Sequence, residues 1–211
     1  ALAATPLRRD ALAIAEAGLR GINTKLLIHK AIQFEPQFHR LCINTRVCSI
    51  RQTRRIFVVG VGKCAIAAAE ALEDVLGDAL AGGVVLDVQM PEVCTLKKIR
   101  CFSGTHPLPS DANVEYTKHI VGLLSNLQED DLVIVVVSGG GSTLLCLPEE
   151  GATCVEERVI IQTLMRAGAT IQELNTIRKH MSLARGGYLA KYAHPAQVIG
   201  LVISDVPGDD I

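Results

Sequence analysis

Two hydrophobic patterns alternate along this chain. Short apolar runs rich in β-branched residues occur at 56–59, 84–87, 99–102, 132–137 and 197–203. Runs of that length and composition predict buried strands. Between them, apolar residues recur at three- and four-residue spacing and predict helices over 63–76, from 110 or 111 to 127, and onward from Thr153 and Thr170. Thr153 with Glu156 and Thr170 with Glu173 form capping boxes, each opening a helix. Ahead of the first strand, Thr5-Pro6 starts a helix to Gly21, and Asn23 caps a second, short one through Ile32. Residues 33–55 read as a polar, basic connector.

Strands alternating with helices predict an α/β fold, a Rossmann-like, largely parallel sheet with helices on both faces. Such sheets bind ligands outside the carboxyl ends of their strands. Four unusual segments fall there: 60–63, 104–109, 138–142 and 204–210. Their convergence on one edge is the argument for a site.

Composition narrows the function classes. With 211 residues, 49% hydrophobic and 20% charged, the chain can bury a sizeable core. A net charge of −1, 3% aromatic residues and no Trp give no footing for nucleic acid or an anionic membrane. No apolar stretch approaches the roughly 18 residues that a spanning helix needs, and residues 1–20 lack the order of a signal peptide. Seven cysteines, at 42, 48, 64, 94, 101, 146 and 154, form no C-x-x-C pair. The expectation is buried, reduced thiols in a cytoplasmic protein rather than a metal site. The chain starts without Met and stops after an acidic cluster, which reads as a fragment of a longer protein.

The chemistry begins at Ser138-Gly139-Gly140-Gly141-Ser142-Thr143, directly after the most apolar run. Three glycines bring bare N–H groups close to a ligand, and hydroxyls follow where a helix N-terminus would attract an anion. The other reading is a turn needing glycine for geometry alone. Gly60-Val61-Gly62-Lys63-Cys64-Ala65 also reads two ways. As G-x-G-x-x-A with Asp87 downstream it fits a dinucleotide fingerprint and a nicotinamide-dependent oxidoreductase. Alternatively, Lys63 at a helix start neutralises a phosphate. The spacing excludes a P-loop. Cys64 beside Lys63 is the sole placement that suits a reactive thiol.

Asn175-Thr176-Ile177-Arg178-Lys179-His180 puts adjacent cations on a predicted helix, so they diverge by about 100° and not all can face one ligand. Arg178 suits carboxylate or phosphate, and the other reading is a solvated basic face. Arg185-Gly186-Gly187 is expected to end that helix. His106, beside Pro107, serves either proton transfer or a stiffened loop. Ser204-Asp205-Val206-Pro207-Gly208-Asp209-Asp210 crowds three carboxylates at the end of what reads as a buried strand. Such oxygens suit Mg²⁺ held with nucleotide phosphates, or a general base.

Together, Val59-Gly60-Val61-Gly62-Lys63, Val137-Ser138-Gly139-Gly140-Gly141-Ser142, Leu174–His180 and Ser204–Asp209 resemble, in order and spacing, the glycerate 2-kinase family with a C-terminal MOFRL domain. The resemblance covers roughly Ile56 to Ile211 and implies ATP-dependent phosphorylation of D-glycerate at its 2-hydroxyl. It implies Lys63 and Asp205 as active-site residues, with Asp205 as base. Gly60, Gly62 and 138–142 would hold phosphate, and His106, Asn175, Arg178 and Lys179 the substrate. Asp209 and Asp210 would hold Mg²⁺. The family's second, smaller α/β domain is absent, so residues 1–211 read as most of the N-terminal domain, with little activity expected of them alone. A hydroxypyruvate reductase using NAD(P) and a phosphate-binding module without turnover are the alternatives. A homodimer is entertained, with no sequence feature that specifies one.

Overall fold

The computed structural model describes residues 3–50 and 55–204. Two helices open it, α1 (Pro6–Gly21) and α2 (Thr24–Ala31). Thr5 and Asn23 cap them as expected, their side chains accepting from Arg8 and Leu26 N–H. Helix α1 buries none of its residues.

The expected connector is instead a three-stranded antiparallel meander, β1 (Ile32–Glu35), β2 (Arg40–Ile43) and β3 (Arg46–Ser49). Its turns use His39 and Asn44, both with positive φ. Asn tolerates that conformation through local hydrogen bonding, so no glycine punctuates the segment. Ile32 and Leu41 from the meander are buried against the main body.

That body is a five-stranded parallel sheet: β4 (Ile56–Val61), β5 (Leu80–Asp87), β6 (Ile99–Ser103), β7 (Leu132–Ser138) and β8 (Gln197–Ile203), in spatial order β6-β5-β4-β7-β8. Counted within the sheet this is 3-2-1-4-5, the order with which doubly wound nucleotide-binding sheets begin. Helices α3 (Ala65–Leu76), α4 (Asp111–Leu124), α5 (Gly141–Leu144), α6 (Cys154–Arg166), α7 (Ile171–His180) and α8 (Tyr188–Ala193) complete the body.

Alternate residues of the central strands feed separate cores. Val58, Ile134 and Val136 pack with α3, α2 and the meander. Val59, Val61, Val133 and Val135 pack with residues of α4, α5 and α8. Burial on both faces explains the unbroken apolar runs. Strand β5 begins at Leu80, ahead of the expected 84, because Gly82 and Gly83 interrupt the apolar pattern. A Cβ at Gly83 would overlap the Val58 carbonyl oxygen across the sheet.

Three expectations need correction. Strand β8 is an edge strand rather than a buried one: exposure alternates along it, with Val202 54% exposed. Helix α7 stops at His180, not at 185–187, and Gly187 at φ 98° instead caps α8. Among the cysteines, Cys146 and Cys154 are buried, but Cys94 is exposed. No described helix is long and apolar enough to cross a membrane.

Candidate functional site

The sheet's order reverses between β4 and β7, and the two glycine turns meet at that point. Gly62 adopts φ 126°, and a Cβ there would overlap the Ser138 hydroxyl and lie 2.6 Å from its carbonyl oxygen. Only glycine lets the chains pass so closely. The turns are also bonded together. Lys63 N–H donates to Gly139 O at 2.9 Å, and Cys64 N–H donates to the Ser138 hydroxyl at 3.3 Å. Gly60 has the same necessity on its other side, where a Cβ would come within 2.8 Å of Val85 Cγ1.

Gly140, at φ 88°, caps the short α5. Thr143 and Leu144 N–H both donate to its carbonyl, so the amides before them, of Gly141 and Ser142, precede the first intrahelical bond and are left for another acceptor. Ser138 and Gly141 are buried, whereas the Ser142 side chain is exposed. A Cβ at Gly140 would meet His106 Cδ2 at 3.2 Å and Lys63 Cγ at 3.5 Å. The imidazole and the Lys63 stem therefore flank the turn.

His106 is held there by Asn113, a fully buried residue of α4. Asn113 Oδ1 accepts from Thr105 N–H at 2.8 Å and from the Ser110 hydroxyl at 3.0 Å. Its Nδ2 donates to Thr105 O at 3.0 Å and to Thr143 O at 3.2 Å, tying the His106 loop to α5. Arg158 on α6 anchors the loop's far end, donating to Pro109 O at 2.9 Å. Nothing in the sequence pattern singled out Asn113, which reads there as one polar residue among several on an amphipathic helix.

The second cation is Arg178, 7% exposed on α7. Its pKa is lowered, chiefly by burial and then by the neighbouring Arg185 charge, against the pull of Glu157. Beneath it lies a buried ion pair: Arg185 Nη2 sits 2.8 Å from Glu157 Oε1, and Arg185 Nη1 donates to the Arg178 carbonyl at 2.8 Å. Cys146 Sγ donates to Glu157 Oε2 at 3.3 Å. The pairing of Glu157 with Arg185 has no sequence signal either, since an acid and a base twenty-eight residues apart show nothing of their contact.

His106 feels both cations. Partial desolvation, then the charges of Lys63 and Arg178, hold its imidazole below the usual value. Among the described residues no hydrogen bond or ion pair engages the Lys63 ammonium or the Arg178 guanidinium, although one of these is buried. Buried charge without a partner is costly, and a bound anion is what would offset it. Asn175, three residues before Arg178 and half-buried, shares its side of α7, whereas Lys179 is exposed. Asp205, Asp209 and Asp210 lie outside the described residues. Among the described residues no cluster of three His, Cys, Asp or Glu side chains could hold a metal ion.

Asp87 resolves the ambiguity of the first glycine turn. It is 4% exposed, with Oδ2 accepting from Ile66 N–H at 3.1 Å and Oδ1 from Val88 N–H at 2.7 Å. The carboxylate stabilises the start of α3 and is not offered to a ribose.

A doubly wound sheet with two interlocked glycine turns at its switch point, flanked by Lys63 and His106 and with the Arg178 charge acting on that imidazole, marks a candidate anion site in an α/β domain. The chain belongs to the family described as a domain of unknown function, DUF4147, whose profile matches residues 10–211. The resemblance to the glycerate 2-kinase family is upheld by its relatives. It is 37% identical over 155 residues to a protein of Thermotoga maritima named D-glycerate 2-kinase, covering 74% of this chain and 37% of that one. It is 44% identical over 156 residues to an Agrobacterium vitis protein provisionally named a hydroxypyruvate reductase, covering 74% and 40%. A crystal structure of a Pyrococcus horikoshii protein superposes with a TM-score of 0.83 at 30% identity, over 98% of this chain and 46% of that one. The chain thus spans 40% or less of the length of these two curated relatives.

Proposed function

We propose that this domain binds the phosphates and the acid substrate of a kinase that transfers a phosphoryl group from ATP to the 2-hydroxyl of D-glycerate. The observation that carries the reading is that Lys63 and His106 flank Gly140 while the Arg178 charge acts on the same imidazole, and among the described residues neither Lys63 nor Arg178 has a carboxylate in direct contact. Phosphoryl transfer asks a protein mainly for positioning and for charge stabilisation. In this reading Lys63 and the amides after Gly140 hold the transferred group. Arg178, with Asn175 beside it, takes the glycerate carboxylate, and Lys179 contributes only long-range attraction.

Asp205 follows β8 by two positions in sequence, and β8 ends on the same edge as β4 and β7. As base it would take the proton of the 2-hydroxyl while that oxygen bonds to the γ-phosphorus and ADP departs. Asp209 and Asp210 are the proposed Mg²⁺ ligands. We further propose that residues 1–211 form most of the first domain of such an enzyme.

The reductase reading rests on the G-x-G-x-x-A pattern with Asp87 and on the name of the A. vitis relative, but hydride transfer has no use for the paired charges of Lys63 and Arg178, and the Asp87 carboxylate is already engaged at the start of α3. Calorimetry with ATP separates the cases at the level of binding. Lys63→Ala and Arg178→Ala are each expected to weaken binding at least tenfold, about 1.4 kcal/mol, with the melting temperature nearly unchanged for Lys63→Ala. Binding equal to that of the parent would remove the residue from the site. Turnover is read on a full-length version carrying the second domain: with D-glycerate, Mg²⁺ and ATP, release of ADP supports the kinase. Oxidation of NADH on hydroxypyruvate without ADP release would overturn it, and ATP binding without either turnover would leave a binding module.

A further inference from the structure

A second chemistry-bearing pair lies at the β6 edge of the sheet. Cys101, on β6, and Cys94, in the crossover between β5 and β6, have their sulfur atoms 3.3 Å apart. Cys94 is exposed and Cys101 half-buried. We propose that these two thiols are a reversible disulfide modification site, oxidised by thiol exchange with a small-molecule disulfide.

The geometry suits a disulfide better than the other uses of two thiols. Closing the bond requires the sulfurs to approach to about 2.05 Å, a movement of little more than an ångström. Residues 94 and 95 belong to no helix or strand, so the crossover can supply that movement without breaking a ladder. A metal ion would need further ligands, and no group of three ligating side chains gathers among the described residues. The other cysteines offer no comparable pair: Cys146 and Cys154 are buried, and each donates to a carboxylate instead.

The two sulfurs have separate roles. Exposed Cys94 attacks the small disulfide as thiolate, forming a mixed disulfide and releasing one small thiolate. Cys101 is the resolving thiol. Burial, followed by the bond to Cys94 and the charges of Glu70 and Glu73, raises its pKa to about 12. It gives up its proton as its sulfur attacks Cys94 Sγ, and the second small thiolate leaves and takes that proton. Two protein thiols are oxidised, one small disulfide is reduced to two thiols, and atoms and electrons balance.

The bond would fix a segment that is already partly fastened. Thr95 Oγ1 donates to Glu70 at 2.5 Å, and Lys97 and Lys98 N–H donate to Glu73, so the crossover is docked on α3. A disulfide would tie the same crossover to β6, the strand that leads into the His106 loop.

The test incubates the 211-residue chain with oxidised glutathione, then alkylates it and maps peptides without reduction. Lys97, Lys98 and Arg100 lie between the two cysteines, so trypsin separates them unless they are bonded. The expected product is a linked peptide pair lighter by two hydrogens, with free thiols falling from seven to five and returning on reduction. Cys101→Ser should stop at a glutathione adduct on Cys94, and Cys94→Ser should leave Cys101 as a thiol. Amide exchange over 88–98 should slow in the oxidised chain. A stable adduct on Cys94 in the parent chain, no reaction at Cys94, or a crosslink to another cysteine would each overturn the proposal.

Discussion

At the scale of single residues, the site is governed by two cationic side chains, Lys63 and Arg178, that both act on one imidazole. His106 shows the consequence most directly. Desolvation and two neighbouring cations keep its imidazole below the ordinary value, so near neutral pH it is uncharged in the free chain. A bound anion supplies the opposite field and raises that pKa, so binding takes up a proton. The sign follows: between the free and the bound pKa, affinity increases as pH falls. Sulfate tests this cleanly because it does not itself titrate there. Its affinity should rise by up to about tenfold per unit of pKa difference as pH drops from roughly 8 to 6. Calorimetry in buffers of different ionisation enthalpy should register proton uptake. His106→Asn should flatten the dependence, and a parent chain with no proton uptake would place His106 away from the anion.

At the scale of elements, the site depends on contacts between loops that no single strand or helix could organise. Asn113 is the join, satisfying Thr105 and Thr143 at once from a fully buried position. Asn113→Ala leaves those groups without partners, and the expected cost is about 2–4 kcal/mol, read as a lower denaturant midpoint. Sulfate binding should weaken with it, because the His106 loop loses its tie to α5. An unchanged midpoint would mean that the loop is held by other means. The contrast with what the sequence disclosed is physical. Central strands are buried on both faces, so β4 and β7 appear as unbroken apolar runs, and the glycines after them are demanded by close backbone passage. Asn113, Glu157 and Arg185 act through partners distant in sequence, and in a linear reading each resembles a solvated polar position. The meander was hidden for a different reason, since His39 and Asn44 occupy its turns where glycine would have announced them.

At the scale of the whole molecule, that meander decides whether the described residues form one cooperative unit. Ile28, Ile32, Leu41 and Ile50 belong to the same buried cluster as Ile56, Val58, Leu72 and Ile134, so meander and sheet share a core rather than merely touching. Helices α2 and α3 are clamped by Lys25 and Glu70, whose oxygen lies 2.5 Å from the ammonium. Burial opposes ionisation of Glu70, but bonds from Lys25 and Thr95 prevail and lower its pKa. A lowered carboxyl pKa stabilises the fold above the unfolded value and loses that contribution as pH falls through the native one. A shared core predicts shared unfolding. Leu41→Ala, at a fully buried position, removes about three carbons' worth of packing and should cost about 2–5 kcal/mol. If the core is common, calorimetry will show a single transition moved to lower temperature, with the β-sheet and thiol-exposure signals of Cys146 moving together. If the meander were an appendage, its own signals would melt early while Cys146, buried on the far side near Glu157, kept its parental transition.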